Sequence, residues 1–430
     1  MGRNAVQAEV APRNYGSPIS DEPLYGAGGG TPASGTCASA PTQATAKTRD
    51  LRLDLFRGIA LFLIFVDHIP GNVLSYFTIQ SIGFSDAAEI FIYVSGYTAA
   101  LVYGRRMLER GMFIATAKIL HRVWQLYIAH IFILVIFTAL VAYNTLAFEQ
   151  TAYGKALRVA KFFAEPQIAV IRALELRFQP AFLDILPLYI VLLAGFPLVL
   201  LLLRRHPLAA LVPSLAIYVA ACAFGLSLHG YPGYHPWFFN PLAWQFLFVI
   251  GAACGYARVT GRKIPAAPPW VVALALMILL GSALIRLSWT IHRLWETFPA
   301  ILIGQLWPID KTDLALIRLV HFLALAIVVV RFVPANSRFP RWRWAQPIIR
   351  CGQQSLQVFC IGILLSVLGY FLLAEWSDGL TAQLIVNITG FAVMIGAGGL
   401  ITWYRTIDRD KARQIHSDLP KFTGSANHAI

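Results

Sequence analysis

Apolar runs close to the thickness of a bilayer's hydrocarbon core recur along this chain, near 53–69, 87–104, 124–147, 183–203, 207–228, 242–257, 269–289, 314–333, 355–373 and 380–404. A helix needs about 20 residues to cross ~30 Å of hydrocarbon, and in lipid a segment has to satisfy its own backbone polar groups. The pattern predicts an all-α fold, a polytopic transmembrane helical bundle of about ten spans. Composition agrees: 57% apolar residues, 13% charged residues and a mean hydropathy of +0.63 do not describe a soluble globular domain.

The net charge of +14 does not point to nucleic acid, because the basic residues form short clusters between apolar runs rather than one continuous face. They read as topology signals. Arg105, Arg106, Arg110, Lys118 and Arg122, then Arg204 and Arg205, then Arg258, Arg262 and Lys263 fall on alternate loops, while 70–86, 229–241 and 374–379 carry no Lys or Arg. The positive-inside rule then places both termini in the cytoplasm. The loop 148–182 dissents, with Lys155, Arg158, Lys161, Arg172 and Arg177 on the outer side, where long loops translocate with less regard to charge. Residues 1–48, rich in Gly, Pro, Ala, Ser and Thr and without an apolar core before a cleavage site, read as a disordered cytoplasmic tail. A membrane domain over 49–405 and a second cytoplasmic tail over 406–430 follow. Cys37, Cys222, Cys254, Cys351 and Cys360 are scattered singly, without metal-ligand spacing, so no metal site is expected.

Chemistry concentrates in the first two spans. Asp54 and Arg57 are three apart, neighbours on one helix face and a natural ion pair. Arg57 and His68 are eleven apart, which returns to within about 20° of the same direction and separates them by ~16 Å along the axis. Asp67 precedes His68 directly, and the second span opens with Asp86 and Glu89 at about the same depth. Glu89 is expected to hold the imidazole in one tautomer. The fourth span adds Asp184, just after Gln179 and Pro180. Ionisable groups in lipid face a cavity or a partner, so this convergence is a candidate site. The alternative for Asp86 and Asp184 is that they are helix-start residues favoured by the macrodipole.

Arg57, ten intervening residues and His68, followed by Phe91-x-x-x-Ser95-Gly96, resemble the paired motifs of the acyltransferase-3 superfamily of membrane O-acyltransferases. Asp54-Leu-Phe-Arg57-Gly58, Asp67-His68-Ile-Pro70 and Gly83-Phe-Ser-Asp86-Ala-Ala-Glu89-Ile-Phe91 resemble the OpgC family, membrane proteins that succinylate osmoregulated periplasmic glucans. So do Arg122-Val-Trp124-Gln125-Leu-Tyr127-Ile-Ala-His130, Asp184-Ile-Leu-Pro187-Leu-Tyr189 and Cys351-Gly352-Gln-Gln-Ser355. The resemblance spans roughly 50–405. Where broader superfamily members have Phe-Phe before Ser-Gly, this chain has Phe91-Ile92, apolar either way.

The resemblance implies an enzyme of a bacterial inner membrane that moves an acyl group, succinyl from succinyl-coenzyme A, onto a hydroxyl of a periplasmic glucan. It makes His68 catalytic and Arg57 essential. The residues themselves allow this: neutral imidazole suits removal of a hydroxyl proton, and Tyr93, Ser95 or Gln179 could donate to the oxyanion. Asp54, Asp67 and Asp184 would border the substrate, and Arg105, Arg106, Arg122 and His130 the donor's approach from the cytoplasm. The bland reading, which the positive-inside pattern favours, is that Arg105, Arg106 and Arg122 are only topology anchors, and His130 can as well be a packing residue. Lys155, Arg158 and Lys161 are expected to steer an anionic acceptor. The aromatic loop 229–239 is read as an interfacial belt, with a sugar platform as the rival. A transporter or flippase is the competing function, since buried charges also suit a translocation path. Against it, the motifs crowd into two spans and are not echoed in a second half.

Overall fold

The computed structural model describes residues 50–233, 235–290, 309–334 and 337–418. The expected tail over 1–48, Cys37, Tyr234 of the aromatic loop and the last residues of the C-terminal tail, 419–430, lie outside the described residues. The described chain is helical, and its only bridge pairings are the isolated Phe178–Tyr231 and His229–Pro236.

All ten apolar runs form helices. They are α1 (Leu51–Asp67), α2 (Ala87–Ala99), α3 (Met112–Ala147), α4 (Ile185–Arg205), α5 (Pro207–Phe224), α6 (Pro241–Val259), α7 (Pro269–Thr290), α8 (Leu316–Phe332), α10 (Ser355–Glu375) and α11 (Leu380–Asp418), with a short α9 (Ala345–Gln353) before α10. Seven of these (α3 to α7, α10 and α11) are long and apolar enough to cross a membrane. Their outward faces carry large apolar side chains such as Phe132, Val135, Val212, Met277 and Leu400, the arrangement of a bundle that buries its core and turns a second apolar surface to lipid.

The site depends on how α1 and α2 begin and end. Asp50 caps α1 by accepting from the Arg52 amide at 3.2 Å, and α1 runs until the His68 amide bonds back to the Ile64 carbonyl at 3.1 Å. The helix therefore stops with His68 at its C-cap. α2 starts at a capping box: Asp86 accepts from the Ala88 amide at 2.8 Å, and Glu89 Oε2 accepts from the Asp86 amide at 2.8 Å. At its other end α2 widens into a π turn over Ala100–Gly104 before continuing as Arg105–Arg110.

Glycines let the helices that frame the site approach closely. A Cβ on Gly96 of α2 would strike the Phe248 carbonyl of α6, and Cβ atoms on Gly251 and Gly255 would strike the carbonyls of Tyr93 and Tyr97. Gly58 and Gly352 join α1 to α9 in the same way. Small residues at backbone contacts are how membrane helices pack without a hydrophobic drive between them.

Candidate functional site

His68 opens into a cavity of about 480 Å³. α1 contributes Asp67 and His68, the start of α2 contributes Asp86, and α4 contributes Asp184 at its N-terminus. Arg158 and Phe182 come from the segment between α3 and α4, Phe238 and Phe239 from the aromatic loop, and Lys311 from the approach to α8. The imidazole stands edge-on to Phe182, ring centroids 4.7 Å apart, and its Nδ1 lies 2.6 Å from the Ile64 carbonyl oxygen. A carbonyl only accepts, so Nδ1 carries the proton and Nε2 is left as the acceptor.

Glu89 does not orient that ring, contrary to the sequence-based expectation. It is fully buried; Oε2 is taken by the Asp86 amide, and Oε1 accepts from Arg318 Nε at 2.8 Å. Arg318 also lies 3.1 Å from Asp86 Oδ2, and Lys311 Nζ sits 2.6 Å from the same oxygen. A chain Glu89–Arg318–Asp86–Lys311 results. The capping box turns the Glu89 carboxylate back along α2 toward α8, and Arg318, itself buried, needs that counter-charge. The ring's orientation comes from its own helix's carbonyl.

Two carboxylate oxygens in this region, Asp67 Oδ1 and Asp184 Oδ1, are buried and have no hydrogen-bond partner. The other oxygen of Asp184 accepts from Arg158 Nη2 at 2.7 Å. Of the three cations expected to steer an acceptor, Arg158 borders the cavity; Lys161 pairs with Glu165 at the surface, and Lys155 is exposed. The aromatic loop is not a belt at its end, because Trp237 and Phe239 are buried and Phe238 faces Arg158 and Lys311, ring centroid to cation 5.7 and 5.8 Å.

A second, smaller cavity of about 150 Å³ lies beside Arg57. Arg57 Nη2 donates to Thr98 Oγ1 at 2.6 Å, Asp54 accepts from Gln353 Nε2 at 3.4 Å, and Arg122 lines the cavity with Ser95, Tyr103 and Ser355. Ser95 is thus on the Arg57 side and not beside His68. Tyr93 borders neither cavity and packs against Phe322 of α8, ring centroids 5.4 Å apart. Gln179 is buried and donates to the Leu176 carbonyl at 2.9 Å, shaping the turn rather than facing His68. None of the three oxyanion candidates lines the His68 cavity. Arg105 and Arg106 stand outside both linings, Arg105 exposed. His130 is fully buried, and neither ring nitrogen has a hydrogen-bond partner.

Sequence reasoning missed Lys311 and Arg318. Arg318 had a signal, a lone guanidinium within an apolar run, which in lipid implies a buried acid partner. Lys311 had none, because it lies in a polar connection and reaches Asp86 across more than two hundred residues of chain.

The family model described as OpgC protein matches residues 49–406, nearly the whole described chain. No curated protein matches the sequence.

Proposed function

This chain belongs to the OpgC family, and from that premise we propose that it is a membrane O-acyltransferase, taking succinyl from a coenzyme A thioester to a hydroxyl of a periplasmic glucan. The single observation that carries the reading is His68, with Nδ1 committed to the Ile64 carbonyl and its ring on the wall of a polar cavity. That is the arrangement a general base requires.

In the proposed reaction a sugar hydroxyl donates to His68 Nε2 while its oxygen attacks the thioester carbonyl carbon. As the carbon–oxygen bond forms, the proton passes to the imidazole; as the carbon–sulfur bond breaks, the imidazolium returns that proton to the departing thiolate. The tetrahedral intermediate bears a negative charge, and Lys311, which lines the cavity beside Asp86, would be the cation to meet it. The free oxygens of Asp67 and Asp184 suit sugar hydroxyls, and the faces of Phe182 and Phe238 suit a pyranose ring. Arg57 and Arg122 would take the anionic part of the donor from the other side, where the basic loops put the cytoplasm. No metal enters this scheme; the donor is a substrate.

Mass spectrometry of periplasmic glucans from cells with and without the gene tests the reading directly. Succinyl substituents that depend on the gene are expected. Identical substitution in both strains would reject glucan acylation as the function.

A further inference from the structure

The helices around the two cavities change sides at one level. On α1, Arg57 borders the smaller cavity and Ile64 the larger; on α2 the change falls between Ala88 and Phe91; on α4 it falls between Ile185 and Leu186. Three helices therefore place the end of one cavity against the start of the other. Of the described residues lining them, Phe359 of α10 alone borders both. Its ring is 3% exposed and lies 6.3 Å from that of Phe91, which meets Tyr189 edge-on at 6.1 Å. Charged groups lie above and below this aromatic layer, with Arg57 and Arg122 on one side and His68, Asp184, Arg158 and Lys311 on the other.

We propose that the two cavities are halves of one path through the bundle and that the Phe359 ring is the partition closing it. The ring swings aside for a linear thioester arm that enters beside Arg57 and presents its acyl carbon to His68, ~16 Å further along α1 at 1.5 Å per residue. A rotameric side chain suits the task, since a χ1 change displaces the ring without moving a helix. When closed it keeps outer water from the thioester, the usual purpose of a gate in a group-transfer site. His130 stands one turn beyond Leu126 on the stripe of α3 that lines the Arg57 cavity, and its unpartnered imidazole would satisfy an amide of the arm. The occupant rests on the acyl-transfer function proposed above; the partition rests on the cavity geometry alone.

Two measurements on the full chain in proteoliposomes separate these. In the first, labelled succinyl-coenzyme A is supplied on the Arg57 side and glucan on the other. Phe359→Trp is expected to slow transfer about tenfold or more while donor affinity changes by less than about threefold, because the gate closes while Arg57 and Arg122, which would hold the donor's anionic part, are unchanged. In the second, a membrane-impermeant thiol reagent is added on the Arg57 side to Ala88→Cys, whose position lines the far cavity, and the modified residue is identified by peptide mass spectrometry. Combining it with Phe359→Ala is expected to speed modification of that cysteine about tenfold, since the gate is removed. Wild-type transfer by Phe359→Trp, or labelling at Ala88→Cys indifferent to residue 359, would overturn the partition. If the unaltered protein transfers no acyl group, the function fails, and the labelling still decides the partition.

Discussion

Fixing a histidine by its own helix has a chemical consequence. The Nδ1 proton of His68 goes to the Ile64 carbonyl one turn back, so the ring needs no acid to choose its tautomer, and Nε2 of the neutral ring is free to receive a hydroxyl proton, giving the imidazolium. His68→Gln keeps size and hydrogen bonding but cannot titrate; it is expected to slow acyl transfer by a factor on the order of 10² to 10⁴ while inserting normally. A wild-type rate in that variant, measured with purified protein and labelled donor, would remove His68 as the base. Glu89 belongs to a different experiment. Removing it leaves Arg318 buried with Asp86 as its remaining acid among the described residues, so Glu89→Ala is expected to destabilise the fold by about 3–5 kcal/mol, with Glu89→Gln partly rescuing through its amide oxygen. Thermal unfolding in detergent reads this. An Ala variant as stable as the unaltered protein yet inactive would return Glu89 to a catalytic role. The sequence placed His68, Asp67 and Asp184 at one membrane depth because ionisable groups inside apolar runs are conspicuous and helical spacing fixes their height. It did not find the partners of Asp86 and Glu89, because those are Lys311 and Arg318, and no periodicity relates α8 to α2.

At the scale of elements, the segment between α3 and α4 contributes Arg158, Ala181 and Phe182 to the wall of the His68 cavity and is tied down at several points. Arg158 pairs with Asp184, the Ala181 amide donates to the Leu157 carbonyl at 3.1 Å, and Tyr231 donates to Glu165 Oε2 at 2.8 Å. The Arg158–Asp184 pair is partly solvated, so its loss is expected to cost at most about 1 kcal/mol of stability. The effect on substrate is expected to be larger. Asp184→Asn replaces the carboxylate whose unpartnered oxygen is proposed to take a sugar hydroxyl, and is expected to raise the KM for glucan about tenfold with a smaller change in kcat. An unchanged KM would mean that the acceptor lies elsewhere. The Tyr231 hydroxyl, and after it Lys161, hold the Glu165 carboxyl below the usual glutamate range. A depressed value in the folded state stabilises the segment at pH above the ordinary glutamate range, and that stabilisation is lost as pH falls through the folded value. Hydrogen-exchange protection over 160–178, taken relative to the intrinsic amide rate at each pH, is expected to fall on acidification, and Tyr231→Phe to show low protection already at neutral pH. The capping box that starts α2 was present in the sequence as Asp-x-x-Glu before an apolar run, whereas the segment between α3 and α4 was not: its short helices lack the length that makes a periodicity visible.

At the scale of the whole molecule, the two cavities give the bundle a direction that only its insertion makes meaningful. A thioester donor is made in the cytoplasm and a periplasmic glucan is not, so the Arg57 cavity has to face inward for the proposed reaction to find its substrates. The basic loops say the same by an independent physical rule, because Arg258, Arg262 and Lys263 follow α6 on the side that the positive-inside bias assigns to the cytoplasm. The segment with Lys155 contradicts that bias, yet its Arg158 borders the His68 cavity, and under the proposed function its charges would stand on the side where the acceptor arrives. Single cysteines at two exposed positions decide between these demands. In intact cells Lys155→Cys is expected to react with a membrane-impermeant thiol reagent, and Arg262→Cys to react only once the membrane is opened. The opposite pattern would put the His68 cavity in the cytoplasm, where it would meet donor but no periplasmic glucan; the orientation and the proposed acceptor would fall together, while the pairing of His68 with the Ile64 carbonyl would stand.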